Sequence, residues 1–278
     1  MDCALLSNET TIRLSFFFGV FLLMAIWELL APRRHQDIAR IIRWPNNIGI
    51  VFLNTVLVRI VMPTTAVGLA QITHSAGWGL LQHLTLPPWL IFLLAIIVLD
   101  LVIYLQHVMF HAVPSLWRLH RMHHADLEFD VTTGSRFHPI EIILSMLLKL
   151  MIIAALGPPA VAVLVFEVIL NALAMFNHAN VRLPLIVDGV LRKIIVTPDM
   201  HRVHHSVLPH EANSNFGFNL SLWDRWLGTY RAQPEHGHEN MTIGIDNFRT
   251  TRDLGLDRML IQPFKDTTGD YPISQKNR

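Results

Sequence analysis

The chain alternates long apolar runs with short polar connections. Residues 14–31 (LSFFFGVFLLMAIWELLA) form the first run. As a helix it is about long enough to cross a hydrocarbon core of ~30 Å. A polar connection, PRRHQDIARIIRWP, follows and carries Arg33, Arg34, Arg40 and Arg43. The second run, 48–70, is interrupted by Arg59 and Pro63, and the connection after it, 71–88, contains no Lys or Arg. The third run starts at Trp89 and continues through Tyr104 to His111. Residues 140–176 are apolar again, with a break at Gly157-Pro158-Pro159. Each half is short for a full crossing, so the pattern predicts a helical hairpin that enters and returns on one side. The last hundred residues are more polar. The fold class expected is all-α: a multi-pass membrane helical bundle of about three spans plus the hairpin, with a cytosolic His-rich cap.

Charge sets the expected orientation. Four arginines between runs one and two, against none between two and three, put the first connection in the cytoplasm and the N-terminus outside. The third run then ends in the cytoplasm at His107 and His111, and the chain returns there from His178 onward. The start of the chain has no basic stretch and no small-residue cleavage site, so the first run reads as retained. Composition agrees: 52% of residues are hydrophobic and 15% charged, against a usual quarter or so. Nothing resembles a basic patch interleaved with aromatics, which argues against nucleic acid. The single cysteine, Cys3, excludes an intrachain disulfide and thiolate-rich metal sites. Any metal must be held by nitrogen and oxygen.

Candidate chemistry lies in three boxes: HVMFH at His107–His111, HRMHH at His120–His124 and HRVHH at His201–His205. On a helix, positions i and i+4 lie about 40° apart and i+3 about 60° to the other side. Each box therefore aims two or three imidazoles from one face. Neighbours such as His123 and His124 diverge by about 100° and can serve different ions. The box ligands His107, His111, His120, His123, His124, His201, His204 and His205 are too many for one ion, so two fit better. His178 (FNHAN) and His138 (RFHPIE) follow expected cytosolic boundaries, and each is a candidate to complete the set. His138 also reads as a loop residue packed on Glu141 or Arg136. The other histidines, His35, His74, His83, His210, His236 and His238, read as loop residues. Asp100 shares a helix face with Tyr104, His107 and His111, where it either orients an imidazole or pairs with Arg59. All-nitrogen sites suit zinc, copper, iron or nickel. There is no HExxH, and only one Glu-x-x-His, Glu235 to His238.

The boxes do not stand alone. An Asp-x-x-x-Tyr lead-in, LWRLHRMHH, RFHPIE, NHAN, TPDMHRVHH and NFGFNLSLWDRWLGTY follow in order between Asp100 and Tyr230. This set resembles the fatty acid hydroxylase superfamily, which includes sterol desaturases, C-4 methylsterol oxidases and alkylglycerol monooxygenase-like enzymes. Val108 departs from the Arg usual there, which removes a cation and no ligand. The resemblance implies two Fe ions held by the eight box histidines with His178, His138 remaining a further candidate, and O2 as co-substrate with a lipid C–H bond as target. It also implies electrons from a separate ferredoxin, cytochrome b5-like protein or reductase. Asp199 and Asp224 would be supporting residues. Trp223, Trp226 and the Asn215–Gly217 turn would pack the cap under the site, and they also read as plain core. The expected division is an N-terminal transmembrane region at 1–98, a fatty acid hydroxylase-like catalytic domain at 99–235 including hairpin 140–176, and a polar tail at 236–278. Small size and the absence of a dilysine end favour a bacterial inner membrane over the endoplasmic reticulum. A desaturase with the same centre, a metal transporter and a non-catalytic metal-binding membrane protein are the competing expectations.

Overall fold

A computed structural model describes residues 2–265 and 267–275. After a short turn at Asp2–Ser7, the helices are α1 (Glu9–Leu30), α2 (Arg40–Val61), α3 (Ala66–Ser75), α4 (Pro88–Ala112), α5 (Pro114–His124), α6 (Pro139–Leu156), α7 (Ala160–Asn177), α8 (Leu185–Leu191) and α9 (Pro198–His204), followed by single turns and irregular chain. Among the described residues the only β pairing is three isolated bridges. Among the described residues, five regions are long and apolar enough to cross a membrane: α1, the stretch from Arg40 to His83, α4, α6 and α7. Their outward faces are strongly apolar. Phe18, Phe52 and Ile60 are 62%, 72% and 74% exposed, as side chains facing lipid would be.

Prolines set several boundaries. Pro88, Pro114, Pro139 and Pro198 each open a helix, where the missing N–H costs nothing. Pro114 has a second effect. It cannot continue α4, and Val113 before it is extended, so α5 folds back beside α4. The second apolar run is not one continuous helix. Pro63 ends it after Val61, and α3 restarts at Ala66 with Thr65 Oγ1 capping the Gly68 amide at 2.9 Å. Ala66, Val67 and Ala70 then pack into one apolar core with Leu99, Ile153, Val163 and Phe166. The expected connection 71–88 accordingly contains the end of α3 and a tight turn at Leu80–His83.

The hairpin of α6 and α7 turns at Gly157, which is left-handed at φ 59. A Cβ there would overlap the carbonyl of Trp78. Each arm has 18 residues, or roughly 27 Å, close to the ~30 Å core. By length and composition both arms can span, contrary to the expectation that each is short.

All three boxes lie at one end of the bundle, and the arginine-rich connection lies there too. Arg33 N donates to Asn180 O at 3.0 Å, and Arg34 Nη1 donates to Met241 O at 2.9 Å. Arg43 is fully buried. It binds Asp126 through Nε at 2.8 Å and Nη2 at 2.7 Å, and Asp130 at 2.5 Å. Trp44 Nε1 also donates to Asp130, at 3.1 Å. These bonds clamp the start of α2 onto the loop from α5 to α6. Removing one partner of such a buried pair costs about 3–5 kcal/mol, because the other charge is left uncompensated.

Candidate metal centre

The fold-back at Pro114 aligns the first two boxes in register. His107 Nε2 faces His120 Nε2 at 3.1 Å, and His111 Nε2 faces His124 Nε2 at 3.1 Å. The end of α7 adds His178, and α9 adds the third box. His178 Nε2 lies 3.2 Å from His123 Nε2 and 3.1 Å from His201 Nε2. The imidazoles sort into two groups. His107, His111, His120, His124 and His204 form one, and His123, His178, His201 and His205 the other; within each, the ligand atoms all lie within 4.8 Å of one another. His124 and His205 stack at 4.5 Å across the boundary.

The protons on these rings can be assigned from their anchors. His107 Nδ1 faces the Phe216 carbonyl at 2.7 Å, His204 Nδ1 the Ser214 carbonyl at 2.7 Å and His178 Nδ1 the Ala174 carbonyl at 2.7 Å. His120 Nδ1 faces Glu141 Oε1 at 2.6 Å. His111 Nδ1 faces Asn213 Oδ1 at 3.2 Å, and Asn213 Nδ2 is committed to Tyr271 O. The three carbonyls and the Asn213 oxygen only accept, and Glu141 does so when ionised, so in that state each Nδ1 carries the hydrogen and each Nε2 presents a lone pair. His107 and His120 therefore point two lone pairs at each other across 3.1 Å inside a fully buried space. With Glu141 ionised, no proton arrangement that keeps the anchors and neutral rings resolves this; a proton on Glu141, or a cation between the two rings, does. His204 Nε2 and both nitrogens of His205 make no protein hydrogen bond among the described residues.

Burial keeps the rings neutral. It pushes His120 and His178 down to about 3. Burial, then neighbouring imidazoles, hold His123, His124, His201, His204 and His205 well below their ordinary value. Neutral imidazole is the metal-binding form. Each group could therefore hold one metal ion.

Residues 92–229 match the Fatty acid hydroxylase family. The chain belongs to the fatty acid hydroxylase superfamily. It is 32% identical over 150 residues to ornithine lipid hydroxylase OlsE of Rhizobium tropici, covering 54% of this chain and 44% of that protein. It is 30% identical over 175 residues to alkylglycerol monooxygenase of Xenopus tropicalis, covering 62% of this chain and 38% of that one. Cholesterol 25-hydroxylase of Rattus norvegicus is 26% identical over 148 residues, covering 51% and 47%. The chain thus spans less than half the length of these curated relatives. No solved structure matches it at comparable stringency.

Within this superfamily member the structure brings the eight box histidines and His178 together and leaves His138 out. His138 caps α6: its Nδ1 accepts from the Ile140 amide at 3.2 Å, and its Nε2 donates to Leu260 O at 3.2 Å. Both nitrogens are spent, which corrects its expected place in the ligand set. Asp100 neither touches an imidazole nor pairs with Arg59. Its Oδ2 accepts from Trp223 Nε1 at 2.7 Å and from Leu220 N at 3.3 Å. Asp199 pairs with Arg202 and, at 3.1 Å, with Arg33, rather than with a box histidine. Asp224, raised to about 6 by burial, accepts from Phe216 N at 2.7 Å and Gly217 N at 2.9 Å. It thereby fixes the carbonyl that anchors His107. Asn215, left-handed at φ 53, ties the same turn to Met200 O at 2.9 Å. Trp223 is buried, whereas Trp226 is 69% exposed and does not pack under the site.

Sequence reasoning missed Glu141 and Asn213 as imidazole anchors. The signal for Glu141 lay in RFHPIE. With His138 as cap, Glu141 falls in the first turn of α6, facing α5.

Proposed function

We propose that the chain is a membrane-bound non-haem di-iron oxygenase that uses O2 and two external electrons to hydroxylate a C–H bond of a lipid. The observation that carries the reading is the gathering of nine buried imidazoles into two groups at one end of an apolar bundle. Similarity to ornithine lipid hydroxylase and alkylglycerol monooxygenase supports a lipid as substrate. The reaction converts R–H, O2, two electrons and two protons into R–OH and water. Two bound iron ions would supply the redox chemistry that side chains lack.

The chain's own residues do the rest. The group of His107, His111, His120, His124 and His204 would hold one ion, and His123, His178, His201 and His205 the other. Carbonyl, carboxylate and amide anchors keep the hydrogen on Nδ1 of five rings and so aim Nε2 inward. Phe218 lies between this cluster and the bundle. Its ring is 5.3 Å from His107 and 6.0 Å from His201, and it packs against the core of Leu99, Ile103 and Phe166. A lipid chain rising between the helices would meet Phe218 before the metal site.

The Arg33–Arg43 connection lies at the same end as the boxes. This supports a cytoplasmic site with the N-terminus outside. The Rhizobium tropici relative supports a bacterial inner membrane. The two electrons would come from a ferredoxin, a cytochrome b5-like protein or a reductase. The test is comparative lipidomics under ¹⁸O2 of cells carrying the wild-type protein or the His123→Ala/His204→Ala variant. A lipid that gains one heavy oxygen only with the wild type is expected. Loss of two hydrogens without oxygen gain would make the protein a desaturase, and identical lipid profiles would end the oxygenase reading.

A further inference from the structure

Outside the two imidazole groups, a third set of metal-ligating side chains converges at the polar end of the molecule. His210, Glu211 and Glu235 each offer an atom within 4.8 Å of the others. His210 Nε2 is 3.2 Å from Glu235 Oε2, and both side chains are partly exposed, at 44% and 57%. Glu211 is different: it is fully buried. Its Oε1 accepts from the Glu235 amide at 2.5 Å, while its Oε2 is buried with no hydrogen-bond partner among the described residues. A carboxylate oxygen buried without a donor is costly, by several kcal/mol as an ion, unless a cation sits against it. The histidine and the second carboxylate stand where such a cation would need them, on the solvent side.

We propose that His210, Glu211 and Glu235 form a third divalent-cation site, of the nitrogen and carboxylate type that takes Zn²⁺. Three protein ligands with a solvent-facing opening leave room for water to complete a four-coordinate shell. One imidazole with two carboxylates is a poor match for calcium, which takes six to eight oxygens. The site has a structural consequence. It ties the turn at Pro209–Ala212 to the chain around Glu235. That turn leads into Asn213, which anchors His111, and Ser214, whose carbonyl anchors His204 and whose hydroxyl donates back to Glu211 O at 2.7 Å. An ion here would brace the segment that aims two of the buried imidazoles. The inference does not rest on the oxygenase reading, because the ligands belong to neither buried group.

The test is equilibrium dialysis of the full chain in detergent micelles against buffered free Zn²⁺. Zinc is counted by elemental analysis in the wild type, in His210→Ala/Glu235→Gln and in His123→Ala/His178→Ala. The wild type should hold about one equivalent more than the His210/Glu235 variant. The His123/His178 variant should keep that equivalent while losing zinc from the buried centre. Hydrogen exchange of the 209–214 amides should slow on Zn²⁺ addition in the wild type and not in the His210/Glu235 variant. Equal zinc content in the wild type and the His210/Glu235 variant at every free concentration would overturn the site, as would exchange at 209–214 that ignores zinc. Zinc content unchanged in the His123/His178 variant, with the His210/Glu235 difference intact, would count against the buried di-metal reading and leave this one standing.

Discussion

Glu141 is the carboxylate that touches a box imidazole, and replacing it isolates what an anchor contributes to metal binding. The contact is short, 2.6 Å from Oε1 to His120 Nδ1, and its two residues are 3% and 2% exposed. A hydrogen bond to a charged partner in such a place contributes about 1.5–3 kcal/mol, and a neutral one about 1 kcal/mol. Glu141→Gln keeps an acceptor and loses the charge, so ferrous affinity should fall by about 1 kcal/mol, or roughly fivefold. Glu141→Leu leaves the Nδ1 hydrogen buried without a partner and should cost about 2–3 kcal/mol, roughly 30- to 150-fold. The assay is competition for Fe²⁺ with a chromogenic chelator in detergent micelles, paired with thermal unfolding of the metal-free protein. The metal-free Leu variant should lose less stability than it loses in metal affinity, because without a metal His120 can carry its hydrogen on Nε2 and donate to His107. Leu-variant affinity within about twofold of wild type would refute the anchoring argument. So would an affinity loss matched by an equal loss of metal-free stability, since Glu141 would then be holding α6 and not the ring.

Three further outcomes follow from the geometry. His178→Ala should remove a ligand from the second group and lower iron content, whereas His138→Ala should leave iron content unchanged and cost only a helix cap, about 1 kcal/mol by denaturant titration. The metal-free protein should lose stability as pH falls below 6.5. His120 and His178 titrate at about 3 when folded and at 6.5 otherwise, so the unfolded chain binds more protons in that window, and each residue withdraws about 2 kcal/mol by about pH 5; a flat denaturation midpoint from pH 7 to pH 5 would contradict this. Phe218→Ala opens space between the cluster and the apolar core, so product analysis by mass spectrometry should show oxygen inserted at a wider spread of chain positions, and an unchanged position would remove Phe218 from the substrate path.

The apolar runs and their breaks gave the architecture because helix length, lipid exposure and proline all act locally. Hydropathy placed α4, α6 and α7 well. It missed the start of α1 at Glu9, because Arg13 is neutralised by Glu167 on α7, a partner far away in sequence that no local pattern reveals. It also read 48–70 as one run, although Pro63 turns α3 back against the hairpin. In the site, the boxes were legible because helical spacing aims their members together. His138 and His178 looked alike at the sequence level, each a lone histidine at an expected boundary. What separates them is three-dimensional: the end of α7 puts the Ala174 carbonyl under His178 Nδ1, whereas the start of α6 uses His138 as its own cap. Asp100 was expected to orient an imidazole and Glu141 was not, for the same reason. Asp100 shares a face with the first box but meets Trp223, and Glu141 reaches His120 only because α5 folds back at Pro114.

The proposed function would place one iron ion in each imidazole group. ⁵⁷Fe Mössbauer spectroscopy with iron quantification, on protein produced under iron-replete conditions, tests it most directly. Two irons per chain are predicted, with one lost selectively in His123→Ala/His178→Ala and the other in His111→Ala/His204→Ala. Near-stoichiometric zinc with no iron, or a single iron lost equally in both variants, would contradict it.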